Sequence, residues 1–177
     1  MAEIKVHLVE PTPEGRLYYF RDPQIDTHIL YISAKTKSFW GKQAYSVNVY
    51  ATVFFGLLVD RRLYAVEIFH NYKFWKVDES VKIPDKSIPA DIIFPWVKER
   101  GFSIEEDENR GEYRIDPGRN VILISFGMKI ENPTYVALSE QCFAILNDDN
   151  MVGLIIKLAD APLKVYSTHH GISKSSI

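Results

Sequence analysis

Apolar and polar residues alternate along much of the chain with a period of two, the pattern of half-buried strands. Ile4, Val6 and Leu8 are separated by Lys5 and His7, and Pro11-Thr12-Pro13-Glu14-Gly15 ends the run with turn residues. Residues 17–20 and 29–32 form two further apolar runs, with Asp22-Pro23 turning the chain between them. Residues 47–59 are rich in aromatic and β-branched side chains, as one well-buried strand would be. Asp60-Arg61-Arg62 then turns the chain, and residues 63–69 return as a hairpin partner. The same order of short strands follows downstream at 102–104, 113–115, 121–125 and 137–146, then at 151–158 after the turn at Asn147-Asp148-Asp149-Asn150. Between these two sets the character changes. Pro84, Pro89 and Pro95 argue against a strand in a sheet interior. Residues 91–100 are expected as a short helix, with Pro95 in its first turns and Gly101 just past its end.

Side by side, the two sets correspond. Asp22-Pro23 matches Asp116-Pro117, and Leu30-Tyr31-Ile32-Ser33 matches Ile122-Leu123-Ile124-Ser125. Residues 55–60 align without a gap on 143–148, Leu63-Tyr64-Ala65-Val66 falls on Met151-Val152-Gly153-Leu154, and Lys76-Val77 falls on Lys164-Val165. The expectation is a tandem duplication. A single copy would expose an apolar face too large to leave in water, and two copies can cover each other's. The expected fold class is therefore α+β and mainly antiparallel β: two tandem hairpin-rich repeats packed as a pseudo-dimer with one short linking helix. The first repeat covers 1–83, the Pro-interrupted helical linker 84–101, the second repeat 102–166 and a polar tail 167–177, all in one compact unit.

Each half also resembles a family of small bacterial and archaeal proteins grouped as a domain of unknown function. The first half carries the resemblance in Asp22-Pro23, in Asp26 followed by Leu30-Tyr31-Ile32, and in Ala65-Val66-Glu67-Ile68. The second carries it in Asp116-Pro117, Leu123-Ile124 and Gly153-Leu154-Ile155-Ile156. It departs by lacking the acidic residue before Leu123 and by placing Ile155 where the family has Glu. The resemblance implies a binding role of the antitoxin kind and no catalytic residues.

Composition narrows the classes of function. The chain has 177 residues, 46% hydrophobic and 13% aromatic, enough for a packed core. A net charge of −2 with no basic stripe argues against nucleic acid as a partner. The longest apolar stretch, 47–59, is interrupted by Asn48, Thr52 and Gly56, so no membrane partner is expected. With one cysteine, Cys142, no intrachain disulfide can form, which fits a cytoplasmic protein. No cofactor motif is present, and nothing has metal-ligand spacing; the Asp148-Asp149-Asn150 turn lacks the frame of a calcium loop. The pattern leaves a monomer and a homodimer equally open.

Two candidate sites remain. Phe39, Trp40, Tyr72, Phe74 and Trp75 lie among lysines, His70 and Asn71, while the second half answers with Ala159-Asp160-Ala161-Pro162. Core packing is the plain reading of these rings. The sharper one is a contact surface for a protein partner, as aromatic anchors beside Lys and Asn provide. On that reading the protein is non-enzymatic and neutralises a small toxin or nuclease, as an immunity or antitoxin factor does. The alternative is a small-molecule site or minor enzyme in a cleft between the repeats, using Glu67 and His70. A cross-strand pair or solvent exposure is the plain reading of Glu67, and an incidental role that of His70.

Overall fold

The computed structural model describes residues 3–11, 44–50, 52–69, 74–104 and 111–158, together with the strand pairing of 16–21, 28–32 and 164–165. Its ordered elements are strands: β1 (His7–Val9), β2 (Arg16–Arg21), β3 (His28–Ile32), β4 (Tyr45–Val49), β5 (Val53–Leu57), β6 (Leu63–Phe69), β7 (Lys76–Val77), β8 (Ile88–Pro89), β9 (Asp91–Ile93), β10 (Gly101–Ile104), β11 (Glu112–Asp116), β12 (Val121–Ser125), β13 (Thr134–Ala137), β14 (Cys142–Asn147), β15 (Asn150–Lys157) and β16 (Lys164–Val165). Most are joined in two seven-stranded sheets, of order β10-β4-β5-β6-β3-β2-β16 and β7-β11-β12-β15-β14-β13-β8, and β1 pairs with β9. Five strands of each large sheet pair antiparallel, with a strand added in parallel at each edge.

The edge strands tie the two sheets into one unit. β7 follows β6 of the first sheet directly in the chain yet lies beside β11 of the second. β10 precedes β11 in the chain yet lies beside β4 of the first, and β16 follows β15 yet lies beside β2. Boundaries drawn along the sequence at 83 and 102 therefore do not separate the two sheets.

Alternation along the strands decides what each face buries. Val47, Val53, Phe55, Val66 and Ile68 of the first sheet meet Ile122, Ile124, Ala144, Leu154 and Ile156 of the second in one apolar core. At its centre Phe55 lies 5.3 Å from Phe94 and 6.1 Å from Phe126, ring to ring. Two tyrosines bridge its rim: Tyr50 donates to the Phe126 carbonyl at 3.0 Å and Tyr113 to the Thr52 hydroxyl at 2.7 Å. The second sheet is covered on its outer face too. Val81, Val121, Phe143, Ile145, Val152 and Ile155 form a smaller core there, under Ile83, Met128 and Ile130. Covering on both faces is why β15 is buried almost from end to end instead of alternating.

A bulge in each central hairpin sets the facing. Ile145 opposes Gly153 while Leu146 opposes Met151, so Val152 is the extra residue, and Met151 and Leu154, three apart, both reach the shared core. In the first sheet Gly56 opposes Ala65 and Leu57 opposes Leu63, which makes Tyr64 the extra residue and sends both Leu63 and Val66 inward.

The helix expected over 91–100 is absent. Asp91–Ile93 is a strand, antiparallel to His7–Val9, followed by turns. The segment is no linker either: Ala90, Ile92, Phe94 and Val97 are all buried. Pro95 removes an amide donor that a helix would use, and the extended form finds both a pairing partner and a core to fill. Arg61, with φ of 65°, pins the turn by donating from Nε to the Val97 carbonyl at 2.6 Å, and Arg62 pairs with Asp91 at 3.1 Å.

Gly153 stands where β15 lies against β12. A Cβ there would come within 2.4 Å of the Ile124 carbonyl oxygen, whereas one on Gly101 meets nothing nearer than 4.0 Å. Gly153→Ala is expected to lose about 2 kcal/mol or more in urea unfolding, and Gly101→Ala to stay within about 0.5 kcal/mol of wild type. Equal stabilities for the two variants would contradict the packing of β15 on β12.

Candidate functional site

In β11 and β12, Glu112, Arg114, Leu123 and Ser125 are among the residues that point away from the shared core, since their neighbours Tyr113, Ile122 and Ile124 point into it. Glu112 opposes Ser125 and Arg114 opposes Leu123 across the two strands. They form the floor of an open groove of about 700 Å³, bounded by Phe74 and Lys76 on one side and by residues 127–130 on the other. The first wall exists because β7 is laid along β11. Asn147 fixes the second: its side-chain amide donates to the Lys129 carbonyl at 2.8 Å and its oxygen accepts from the Glu131 amide at 3.2 Å.

Charges on the floor are organised around Glu112. Arg114 donates to its Oε2 through Nε at 2.7 Å and also through Nη2, and Lys76 donates to its other oxygen. Arg114 reaches on to Asp78 at 3.3 Å. The hydrogen bond from Lys76, followed by that from Arg114, holds the Glu112 carboxyl below its usual range. Asp78 is lowered first by the hydroxyl and amide of Ser80, with Arg114 adding to them.

Phe74, on the groove wall beside Lys76, is 74% exposed, whereas Val77, 69% exposed, pairs with Ile115 and faces the other side of β7. Trp75, between Phe74 and Lys76, points the other way. It is 9% exposed, belongs to the shared core and stacks on Tyr113 with ring centroids 6.5 Å apart. As a core ring it is no surface anchor. Of the five rings singled out in the sequence, Phe74 alone is exposed among the described residues; Phe39, Trp40 and Tyr72 lie outside them.

Glu67 does not face a cleft between the sheets. Val66 and Ile68 on either side point into the shared core, so Glu67 points to the opposite face of the first sheet, across from Phe54. That face also carries Tyr64, fully buried over Gly56, whose hydroxyl is pushed up to about 12 by burial and by the Glu67 charge. His70 lies outside the described residues. The junction itself is filled by apolar side chains. Burial pushes the Cys142 thiol up to about 12, which leaves it protonated and unreactive at neutral pH.

Among the described residues no group of three or more His, Cys, Asp and Glu could hold a metal ion, and no helix is long and apolar enough to cross a membrane. No protein-family model matches the chain, and no curated protein is similar to it in sequence.

The ion network ties stability to pH. The folded Glu112 carboxyl titrates below its unfolded value of about 4.3, so its stabilisation is complete above that value and is lost as pH falls through the folded one. Glu112→Gln is expected to cost less than about 1 kcal/mol near neutral pH, because the cluster is partly exposed. In urea unfolding followed into acid it should flatten the decline seen for wild type. An unchanged acid slope would show that the cluster does not couple protonation to folding.

Proposed function

We propose that the protein is a non-enzymatic binding protein that holds a protein partner on the outer face of its second sheet, over the groove between Phe74 and residues 127–130. One observation carries the reading: an exposed ring at Phe74 stands on the wall of a groove whose floor is an ion network of Arg114, Lys76 and Glu112. Exposed aromatic side chains next to Arg are the composition that protein contact surfaces favour. A partner neutralised in this way, such as a small toxin or nuclease in the cytoplasm, fits a chain whose role is to bind. The expected resemblance to small prokaryotic proteins of the antitoxin kind points in the same direction.

The tandem duplication is part of this reading. What supports it is the shared strand order of the two sheets, the extra residue at Tyr64 in one hairpin and at Val152 in the other, and the edge positions of Lys76-Val77 and Lys164-Val165. On this view each copy hands its last strand to the other's sheet, and the groove lies on the second copy with a wall donated by the first.

The test is affinity capture with tagged wild type, Phe74→Ala and Trp75→Ala, each followed by thermal unfolding. Phe74→Ala should keep its melting temperature and release a stoichiometric partner, with a loss of about 2 kcal/mol or more once that partner is in hand. Trp75→Ala should instead lose about 3 kcal/mol or more of stability, because it empties a core site. A partner retained by Phe74→Ala, or no partner that distinguishes it from wild type, would remove this face from the function.

A further inference from the structure

Met128 stands where the smaller core meets the groove. It packs against that core and also lines the open groove wall, where a dissolved oxidant can reach it. Of the other methionines, Met151 is fully buried in the shared core and Met1 lies outside the described residues. Asn150, at the start of β15, holds the Met128 side chain from within. Only 8% exposed, it donates from Nδ2 to the Met128 sulfur at 3.4 Å, and its Oδ1 has no hydrogen-bond partner. A thioether is a weak acceptor, so this buried amide has only a poor partner for its donor, where buried polar groups are as a rule well bonded. An oxygen on the sulfur would give that donor a strong acceptor.

We infer that Met128 is a reversible oxidation site, with Asn150 as the donor that receives the oxidised side chain; resting on the binding reading above, its oxidation loosens the partner's hold on the groove. The oxidant is a peroxide. Hydrogen peroxide gives one oxygen atom to the sulfur as its O–O bond breaks, the thioether becomes a sulfoxide, and the second oxygen leaves as water with both protons. The sulfur lone pair that faces Asn150 is engaged, so the oxygen forms on the other. A turn about the flexible Cγ–Sδ bond then brings the oxygen to Nδ2. A sulfoxide over an apolar core usually disrupts it, because a polar oxygen is buried without a donor. Here the donor is already in place, and Asn147 anchors the Lys129 carbonyl and the Glu131 amide just beyond. The fold is therefore kept, and the change falls on the groove wall, where an apolar side chain becomes a polar one in a new rotamer.

The test is dilute hydrogen peroxide applied to the full chain, with the oxidised peptides followed by mass spectrometry. Met128 should take up one oxygen roughly tenfold or more faster than Met151, and methionine sulfoxide reductase should remove it again. Equal rates, or a Met128 that resists peroxide, would overturn the inference. The part played by Asn150 is read from the melting temperatures of wild type and Asn150→Leu, each reduced and oxidised. Reduced Asn150→Leu should melt within about 4 °C of wild type, because the amide it removes bonds only a sulfur. Oxidation should then lower Asn150→Leu by several degrees more than wild type, since only wild type offers the new oxygen a donor. Equal drops would reject the site. Where Asn150→Leu does not fold, Met128→Gln decides instead: its amide oxygen stands in for the sulfoxide, so it should fold and melt close to wild type, and its unfolding would reject the site. The two readings fail differently. A captured partner that is lost in Phe74→Ala but held equally by oxidised and reduced protein leaves protein binding standing and rejects the oxidation switch. No partner lost in Phe74→Ala rejects the binding reading itself, while the peroxide rates and melting shifts still decide the oxidation site.

Discussion

Phe55 projects from the first sheet into the gap between the two, where it meets Phe94 from the segment after β9 and Phe126 from the end of β12. Neither sheet could bury that ring alone, and removing it from water depends on both being in place. The exchanged edge strands make the dependence mutual. Each sheet completes its edges with chain that leads to or from the other, so the inner faces are held together by connectivity as well as by apolar contact. Local contacts are plentiful within the hairpins, but the core that stabilises them is built from residues far apart in sequence.

The groove is a by-product of that arrangement. Because β7 crosses to the second sheet, Trp75 turns into the core while Phe74 and Lys76 are left on the outer side beside Glu112. Residues 128–130 cover the smaller apolar core, which reaches Val121 and Leu123 of β12, and leave the outer face at Glu112, Arg114 and Ser125 open between themselves and β7. The floor so exposed is polar where it borders water. Its charges are paired in a cluster that stays hydrated enough to avoid the heavy desolvation cost of a buried ion pair.

Much of the strand pattern was legible in the sequence because a half-buried strand has a two-residue period and turns need particular residues. The hairpin turning at Asp60-Arg61-Arg62 and the turn at Asn147–Asn150 could be read that way, but 47–59, which reads as one strand, is two, β4 and β5, with Tyr50 at a φ of 54° where the chain turns between them. The helix over 91–100 could not be excluded locally: its apolar spacing fits a helix nearly as well as a strand, and only the pairing with His7–Val9 decides the matter. The candidate site was half legible. The aromatic cluster around Phe74 and Trp75 stood out by composition, yet no local rule distinguishes two adjacent rings when one faces a core and the other water. Glu112, Arg114 and Lys129 went unnoticed, although the alternation of Glu112 and Arg114 with Tyr113 and Ile115 already placed both charges on one face.

What this sequence determined by itself is the β character, the turns marked by Gly, Pro, Asn and Asp and which residues of a strand share a face, because these follow from backbone periodicity and from the conformations of those residues; the turns at 50–52 and 138–141 it did not mark. The tertiary structure alone decided which strand lies beside which, that one core serves both sheets, that Glu67 looks outward and Trp75 inward, and that Phe74 borders an open groove floored by ion pairs. Those outcomes come from contacts between distant segments, where the burial of Phe55, Phe94 and Phe126 outweighs the preference of any single stretch.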